Sequence, residues 1–157
     1  MKLKPNYFII PLIVIGVSVV GSVFTSQSVN GWYQTLNLPS WTPPGSIIGA
    51  VWTVLFILIA ISALIFWNRA KRNRIFGVIV GVFLLNAVLN VLWSYLFFGK
   101  HLMMWGFVEI IFLEFSIIAL IVMIWPFSRI ASVLLWPYAG WVALAGYLNY
   151  LIWILNS

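Results

Sequence analysis

The chain has 157 residues, of which 64% are hydrophobic and only 6% charged, with a net charge of +6. A soluble domain carries about 25% charged residues, so this much apolar surface has to meet lipid and a water-soluble fold is excluded. There is no cysteine, which excludes disulfides, thiolate metal sites and cysteine nucleophiles. The basic residues stand at the ends of apolar runs, where membrane topology places them, and nucleic acid is not an expected partner.

Five runs reach the length of about 20 apolar residues that a helix needs to cross the hydrocarbon core. None alternates as a barrel strand would. The expected fold is all-α, an integral membrane bundle of five transmembrane helices forming one domain over 1–157. The first span covers 7–25. It has no A-x-A cleavage site and reads as a retained helix, not a signal peptide. The loop 26–46 follows, with no charged side chain and the stretch LPSWTPPG at 38–45. Loops this long are functional or disordered, and the aromatics and prolines argue against disorder. Pro43 and Pro44 suit a helix start. The loop is therefore expected to be a stiff lid over the bundle mouth, with Trp41 packed inward.

Span two covers 47–67, and Trp52, Phe56, Ile59 and Ala63 form one stripe along it. A basic turn, 68–74, leads to span three at 75–98. That span opens with Gly77 and Gly81 in G-x-x-x-G spacing, a helix-pairing motif that points to a homodimer. Further on, Asn86, Asn90, Trp93 and Phe97 share a face. Asparagine is costly in hydrocarbon without a partner, so that face turns inward, either to bond neighbouring helices or to form a polar patch in a ligand cavity.

Span four, 103–124, carries Glu109 and Glu114. Five residues turn a helix by about 140°, so the carboxylates do not pair as acid and base. A carboxylate at mid-bilayer costs about 2.5–3.5 kcal/mol, which makes each a functional-site hypothesis. Glu109 lies nearer the outer end, where it is expected to stay hydrated. Glu114 lies deeper and is expected to be protonated or bonded to the asparagines of span three. Pro126 suits the stop before span five, 130–155. There Tyr138, Trp141, Ala145 and Asn149 share a face. Pro137 should kink the helix or sit in its first turns. Ala139, Gly140, Ala143 and Gly146 offer smooth surfaces for close approach.

With five crossings, Lys2, Lys4, Arg69, Lys71, Arg72, Arg74 and Arg129 fall on one side and Lys100 alone on the other. The positive-inside rule then puts the N-terminus in the cytoplasm. The first loop, His101 and the C-terminus lie outside. No internal repeat supports an inverted-repeat transporter.

Conventional chemistry is poorly served. The single histidine, His101, cannot build a metal site with two misplaced glutamates. There is no nucleophile elbow and no glycine-rich phosphate loop. No metal and no cofactor are expected. What the chain offers is an aromatic cavity with a few amides, suited to a large, flat, mostly apolar ligand.

The segments WYQTLNLPSWTPPG (32–45), VWTVLF (51–56), NAVLNVLWSYLFFG (86–99) and LLWPYAGWVALAGYLN (134–149) together resemble the tryptophan-rich sensory protein / translocator protein family, once called peripheral benzodiazepine receptors. The resemblance covers nearly the whole chain. It implies a five-helix bundle, usually dimeric, with a cavity under the first loop. It implies that the cavity takes tetrapyrroles such as protoporphyrin IX and haem, and isoquinoline carboxamides. The amide positions fall on Asn86 and Asn90, the acidic position on Glu109, and the alanine and asparagine of the last span on Ala145 and Asn149. Ligand-binding residues are thus expected at Trp41, Pro43, Pro44, Trp52, Phe56, Asn86, Asn90, Trp93, Glu109, Tyr138, Trp141, Ala145 and Asn149. Two tryptophans tied to light- and oxygen-dependent porphyrin breakdown fall on Trp52 and Trp141, which would be the catalytic residues of that reading.

Two departures stand out. Leu38 replaces a lysine that many members carry before the loop proline. No basic residue follows Tyr150, as the cholesterol motif requires. Three functions remain open at this point: a tetrapyrrole-binding regulator or scavenger, a porphyrin-degrading enzyme, and a porphyrin or sterol transporter. The cation distribution fits a bacterial plasma membrane.

Overall fold

The computed structural model describes residues 4–157. Lys2, one of the cations used to orient the chain, lies outside the described residues. Helix α1 spans Asn6–Val29, α2 Gly45–Arg69, α3 Arg74–Ser94, α4 Met103–Ile124, α5 Arg129–Val133 and α6 Trp136–Leu155. A 3-10 turn, Trp32–Thr35, lies in the first loop, and a π-helical turn, Tyr95–Gly99, extends α3. Five helical segments are long and apolar enough to cross a membrane, α5 and α6 together making the fifth. The chain is an all-helical integral membrane protein.

Helix α1 runs four residues past the expected end of its span. The polar run after Phe24 marks where the chain leaves hydrocarbon, not where the helix stops. The hydroxyls of Ser22 and Thr25 donate to the carbonyls of Ser18 and Gly21 one turn back, at 2.7 and 3.0 Å. Bonded in this way, these side chains do not compete for the helix backbone. At the start of α2, Pro44 is the capping residue, and its carbonyl accepts from the Ile47 and Ile48 amides. Proline suits this position because a helix start needs no amide donor there. Asn73 caps α3, its Oδ1 accepting from the Phe76 amide at 2.9 Å.

The fifth span is not one helix. It breaks at Leu134–Leu135, and Pro137 stands in the first turn of α6. Pro137 has no amide to bond the Val133 carbonyl, and its ring crowds that carbonyl. The short α5 that results is tied in by serines. Ser128 caps it through the Ala131 amide and also accepts from Arg69. Ser62 donates to the Ala131 carbonyl at 2.7 Å, and Ser132 donates to the Ile121 carbonyl at 2.6 Å.

The helices form a ring. Helix α1 lies between α2 and α3, α4 lies between α3 and α6, and α2 closes the ring chiefly through α5. At the end bearing the basic turn the interior between α2, α3, α4 and α5 is solid. Phe66, Ile79, Leu113, Ile117, Leu120, Ile124, Ala131 and Leu135 are at most 1% exposed there. Of the small residues expected to allow close approach, Gly146 meets α4, where an added Cβ would lie 3.3 Å from Ile110. Gly140 faces open space. Gly77 and Gly81 are exposed on α3 and also face open space.

Candidate functional site

At the other end the ring opens into a cavity of about 900 Å³, within the range of roughly 300–1,000 Å³ common for ligand pockets. One wall is α1, which presents small residues: Ser18, Gly21, Ser22, Thr25 and Ser26. Trp52 and Phe56 of α2 face them. Asn90, Trp93 and Ser94 of α3 continue the wall, with Phe97 and Phe98 of the π-helical turn. Trp141, Leu144, Ala145, Leu148 and Asn149 come from α6, and the first loop adds Tyr33, Leu38, Pro39, Trp41, Pro43 and Pro44. Helix α4 contributes nothing to this lining.

The aromatic walls are mutually braced. Trp93 stacks on Phe97 with centroids 5.6 Å apart, and its Nε1 donates to Asn149 Oδ1 at 3.1 Å. Asn149 Nδ2 in turn donates to the Met103 carbonyl at 2.8 Å. This close junction explains Gly106, where an added Cβ would stand 3.0 Å from Asn149 Oδ1 and 3.3 Å from Phe97 Cβ. Trp52 meets Phe56 at 5.6 Å and stands edge-on to Tyr138 at 6.1 Å. Trp141 also lines the cavity, and its buried Nε1 has no hydrogen-bond partner. It is a donor that the protein leaves uncommitted. Tyr33 is a further neutral donor, since burial raises its phenol above the usual value.

Beneath the cavity floor a polar chain crosses three helices. Asn90 Nδ2 donates to the Tyr138 hydroxyl at 3.0 Å, which donates to Asn86 Oδ1 at 3.3 Å. Asn86 Nδ2 donates to Ser116 Oγ at 2.8 Å, and Ser116 donates to the Leu113 carbonyl at 2.7 Å. The chain joins α3, α6 and α4 with every donor pointing the same way, and it satisfies groups that would be costly in lipid unpaired.

The lid is fastened on two sides. Trp32 stacks on His101 with centroids 4.0 Å apart and planes 12° apart, and Ser28 Oγ lies 3.2 Å from His101 Nε2. His101 reaches this position from φ 59°, the left-handed region, where the turn between α3 and α4 reverses. On the other side, the Asn37 amide donates to Asn156 Oδ1 at 2.8 Å and Asn156 Nδ2 donates to the Asn37 carbonyl at 3.0 Å. The first loop and the C-terminal end of α6 therefore share one end of the bundle.

Of the expected ligand residues, the cavity gathers Trp41, Pro43, Pro44, Trp52, Phe56, Asn90, Trp93, Trp141, Ala145 and Asn149. Trp41 contributes to the rim but is not packed inward. It is 43% exposed and stacks on Tyr147 at 5.9 Å. Asn86 and Tyr138 lie one layer down, in a smaller pocket that shares Phe56 and Asn90 with the cavity.

Glu109 is absent from the lining, because α4 stands behind α3 and α6. It is not hydrated either. It is 5% exposed, and both carboxyl oxygens are buried without a partner. Glu114 does not bond the asparagines, whose partners are Tyr138 and Ser116. Two residues turn a helix by about 200°, so Ser116 faces α3 while Glu114 points into a shallow groove between α4 and α6. The residues the sequence reading overlooked are mostly fasteners: Trp32, Asn37, His101, Ser116 and Asn156. Only Trp32 gave a signal, as a large aromatic in an uncharged loop.

The model of the TspO/MBR family matches residues 8–154. The chain is 40% identical over 146 residues to the tryptophan-rich protein TspO of Archaeoglobus fulgidus, covering 93% of this chain and 94% of that one. It is 34% identical to the protein of the same name from Bacillus cereus over 157 residues, covering 99% and 100%. It is 31% identical to the translocator protein of Homo sapiens over 135 residues, covering 85% and 80%.

Proposed function

Because the chain belongs to the TspO/MBR family, we propose that it binds tetrapyrroles, such as protoporphyrin IX and haem, and related flat apolar ligands in the cavity under the first loop, and that it acts in tetrapyrrole regulation or scavenging. One observation carries this reading. The cavity combines large aromatic faces with a few neutral donors under a proline-stiffened loop. Aromatic faces stack on a flat ring, and the amide of Asn90, the hydroxyls of α1 and the Tyr33 phenol offer polar contacts around it. Leu38 stands in the lining, and no charged side chain does, so ligand carboxylates meet neutral donors or the solvent at the mouth. The reading needs no cofactor.

Titration with protoporphyrin IX, followed by tryptophan quenching, tests it. The Trp52→Phe, Trp141→Phe double variant should bind about tenfold more weakly, equivalent to about 1.4 kcal/mol. Unchanged affinity would remove the cavity from the account.

A second reading is light- and oxygen-dependent porphyrin breakdown. Its support is that Trp52 and Trp141 line the same cavity, so both indoles would lie beside a bound ring. Turnover under illumination that persists in the double variant would assign the chemistry to free porphyrin.

The cation distribution supports a bacterial plasma membrane, with the N-terminus cytoplasmic and the loop end outside. The open face at Gly77 and Gly81 supports pairing with a second copy.

A further inference from the structure

Below the polar chain lies the second pocket, about 100 Å³ in volume, formed between α1, α2 and α3. Its upper limit is Phe56 and Asn90, and its lower limit is Trp67. It lies beside the lipid between α1 and α3, where the lining residues Ile13 and Leu84 are themselves exposed. From Phe56 to Trp67 is about 16 Å along α2 at about 1.5 Å per residue. Half of a hydrocarbon core of roughly 30 Å is about 15 Å. The pocket is therefore as long as one leaflet is thick.

Its lower rim is basic. The guanidinium of Arg72 lies 4.7 Å from the Trp67 ring centroid and 4.0 Å from that of Phe76. Arg69, Lys71 and Arg74 share the same short turn, and all four side chains are exposed. The two acidic side chains of the sequence, Glu109 and Glu114, both lie within α4. Neither glutamate serves as counter-ion to this turn, so its counter-charge comes from elsewhere. A cation stacked on two rings is held in place, and guanidinium and ammonium groups both recognise phosphate.

We propose that this pocket is a phospholipid site. It seats a few methylenes of one acyl chain of an anionic phospholipid from the leaflet at the basic end, the rest of that chain lying along the open side between α1 and α3, with the phosphate against Arg72 and its neighbours. The second acyl chain stays in the bilayer. The site is separate from the tetrapyrrole cavity, from which Phe56 and Asn90 divide it.

The test uses the full-length protein in detergent, incubated with phosphatidylglycerol or phosphatidylcholine and examined by native mass spectrometry. One phosphatidylglycerol should be retained per chain, in preference to phosphatidylcholine. Arg72→Gln should weaken retention roughly fivefold, the effect of one cation at an anionic lipid surface. Ala87→Phe, which fills the pocket, should abolish it. Protoporphyrin affinity should be unchanged in the Arg72 variant. Equal retention of the two lipids overturns the proposal, as does displacement of phosphatidylglycerol by stoichiometric protoporphyrin IX. A second measurement does not depend on the filled variant folding. Phosphatidylglycerol with a mid-chain diazirine should crosslink preferentially to residues 80–87 of α3. Labelling spread evenly over the lipid-facing surfaces of α1 and α4 overturns the proposal.

Discussion

The two ends of the bundle draw on similar apolar sequence yet one is solid and the other hollow. At the basic end, branched aliphatic residues of α4 and α5 interdigitate with α2 and α3, and Ile117, Ile124 and Leu135 have no exposure. At the loop end, the tryptophans and phenylalanines of α2, α3 and α6 face the serines, glycine and threonine of α1 across open space. Hydropathy does not separate the two ends. Lipid tails are as apolar as leucine, so helices in a bilayer are sorted by fit and hydrogen bonding. Aliphatic side chains fill the gaps between helices. Braced aromatic rings opposite small residues hold the helices apart.

Paired truncations give the largest expected contrast. Leu113→Ala, in the solid end, should cost about 2–5 kcal/mol, the range for buried aliphatic truncation. Leu148→Ala, on the cavity wall, should cost far less, because it only enlarges space that already exists. Unfolding in detergent would measure both. Equal losses would mean that the loop end is as tightly packed as the basic end.

An intermediate effect is expected at the lid. Asn37 and Asn156 exchange two hydrogen bonds, each worth about 0.5–1.5 kcal/mol. Asn156→Ala should therefore speed release of bound ligand by about 5- to 150-fold in stopped-flow measurements, as about 1–3 kcal/mol implies. Trp41→Ala should speed release less, since its stack on Tyr147 is half open to the surroundings. Release rates untouched by Asn156→Ala would mean that ligands leave between helices.

Tyr138→Phe should give the smallest effect. It removes a hydroxyl that makes two interhelical bonds, each worth about 0.6 kcal/mol on average in membranes. Stability should fall slightly and ligand affinity should hold, because the hydroxyl lies under the floor. A marked loss of affinity would instead place Tyr138 in contact with ligand.

Much of this was readable in the chain. Asn86, Asn90, Trp93 and Phe97 share a face by spacing alone, and that face does turn inward. Pro137 announced a discontinuity, and the break falls just before it. The partners were not readable. Ser116 looked like an ordinary membrane serine, yet it takes the Asn86 amide that Glu114 seemed placed to receive. Nothing near Asn37 signalled Asn156, which is 119 positions away. The end of α1 was placed early because hydropathy follows the solvent while the helix follows its backbone bonds.

The sequence by itself determined that the chain is a bundle of apolar helices, how many crossings it makes, which stripe of the second, third and fifth spans turns inward and which end is basic. Those properties depend on composition, on the helical period and on charge, all of which are local. Only the tertiary structure decided what each inward residue does. Trp141 was placed in the cavity wall with its indole nitrogen buried and unpaired, Tyr138 was committed to a polar chain beneath it, and Glu109 was placed behind it. Helical spacing gives an angle about one axis. Whether that angle meets a cavity, a partner or a packed neighbour depends on where the other axes stand.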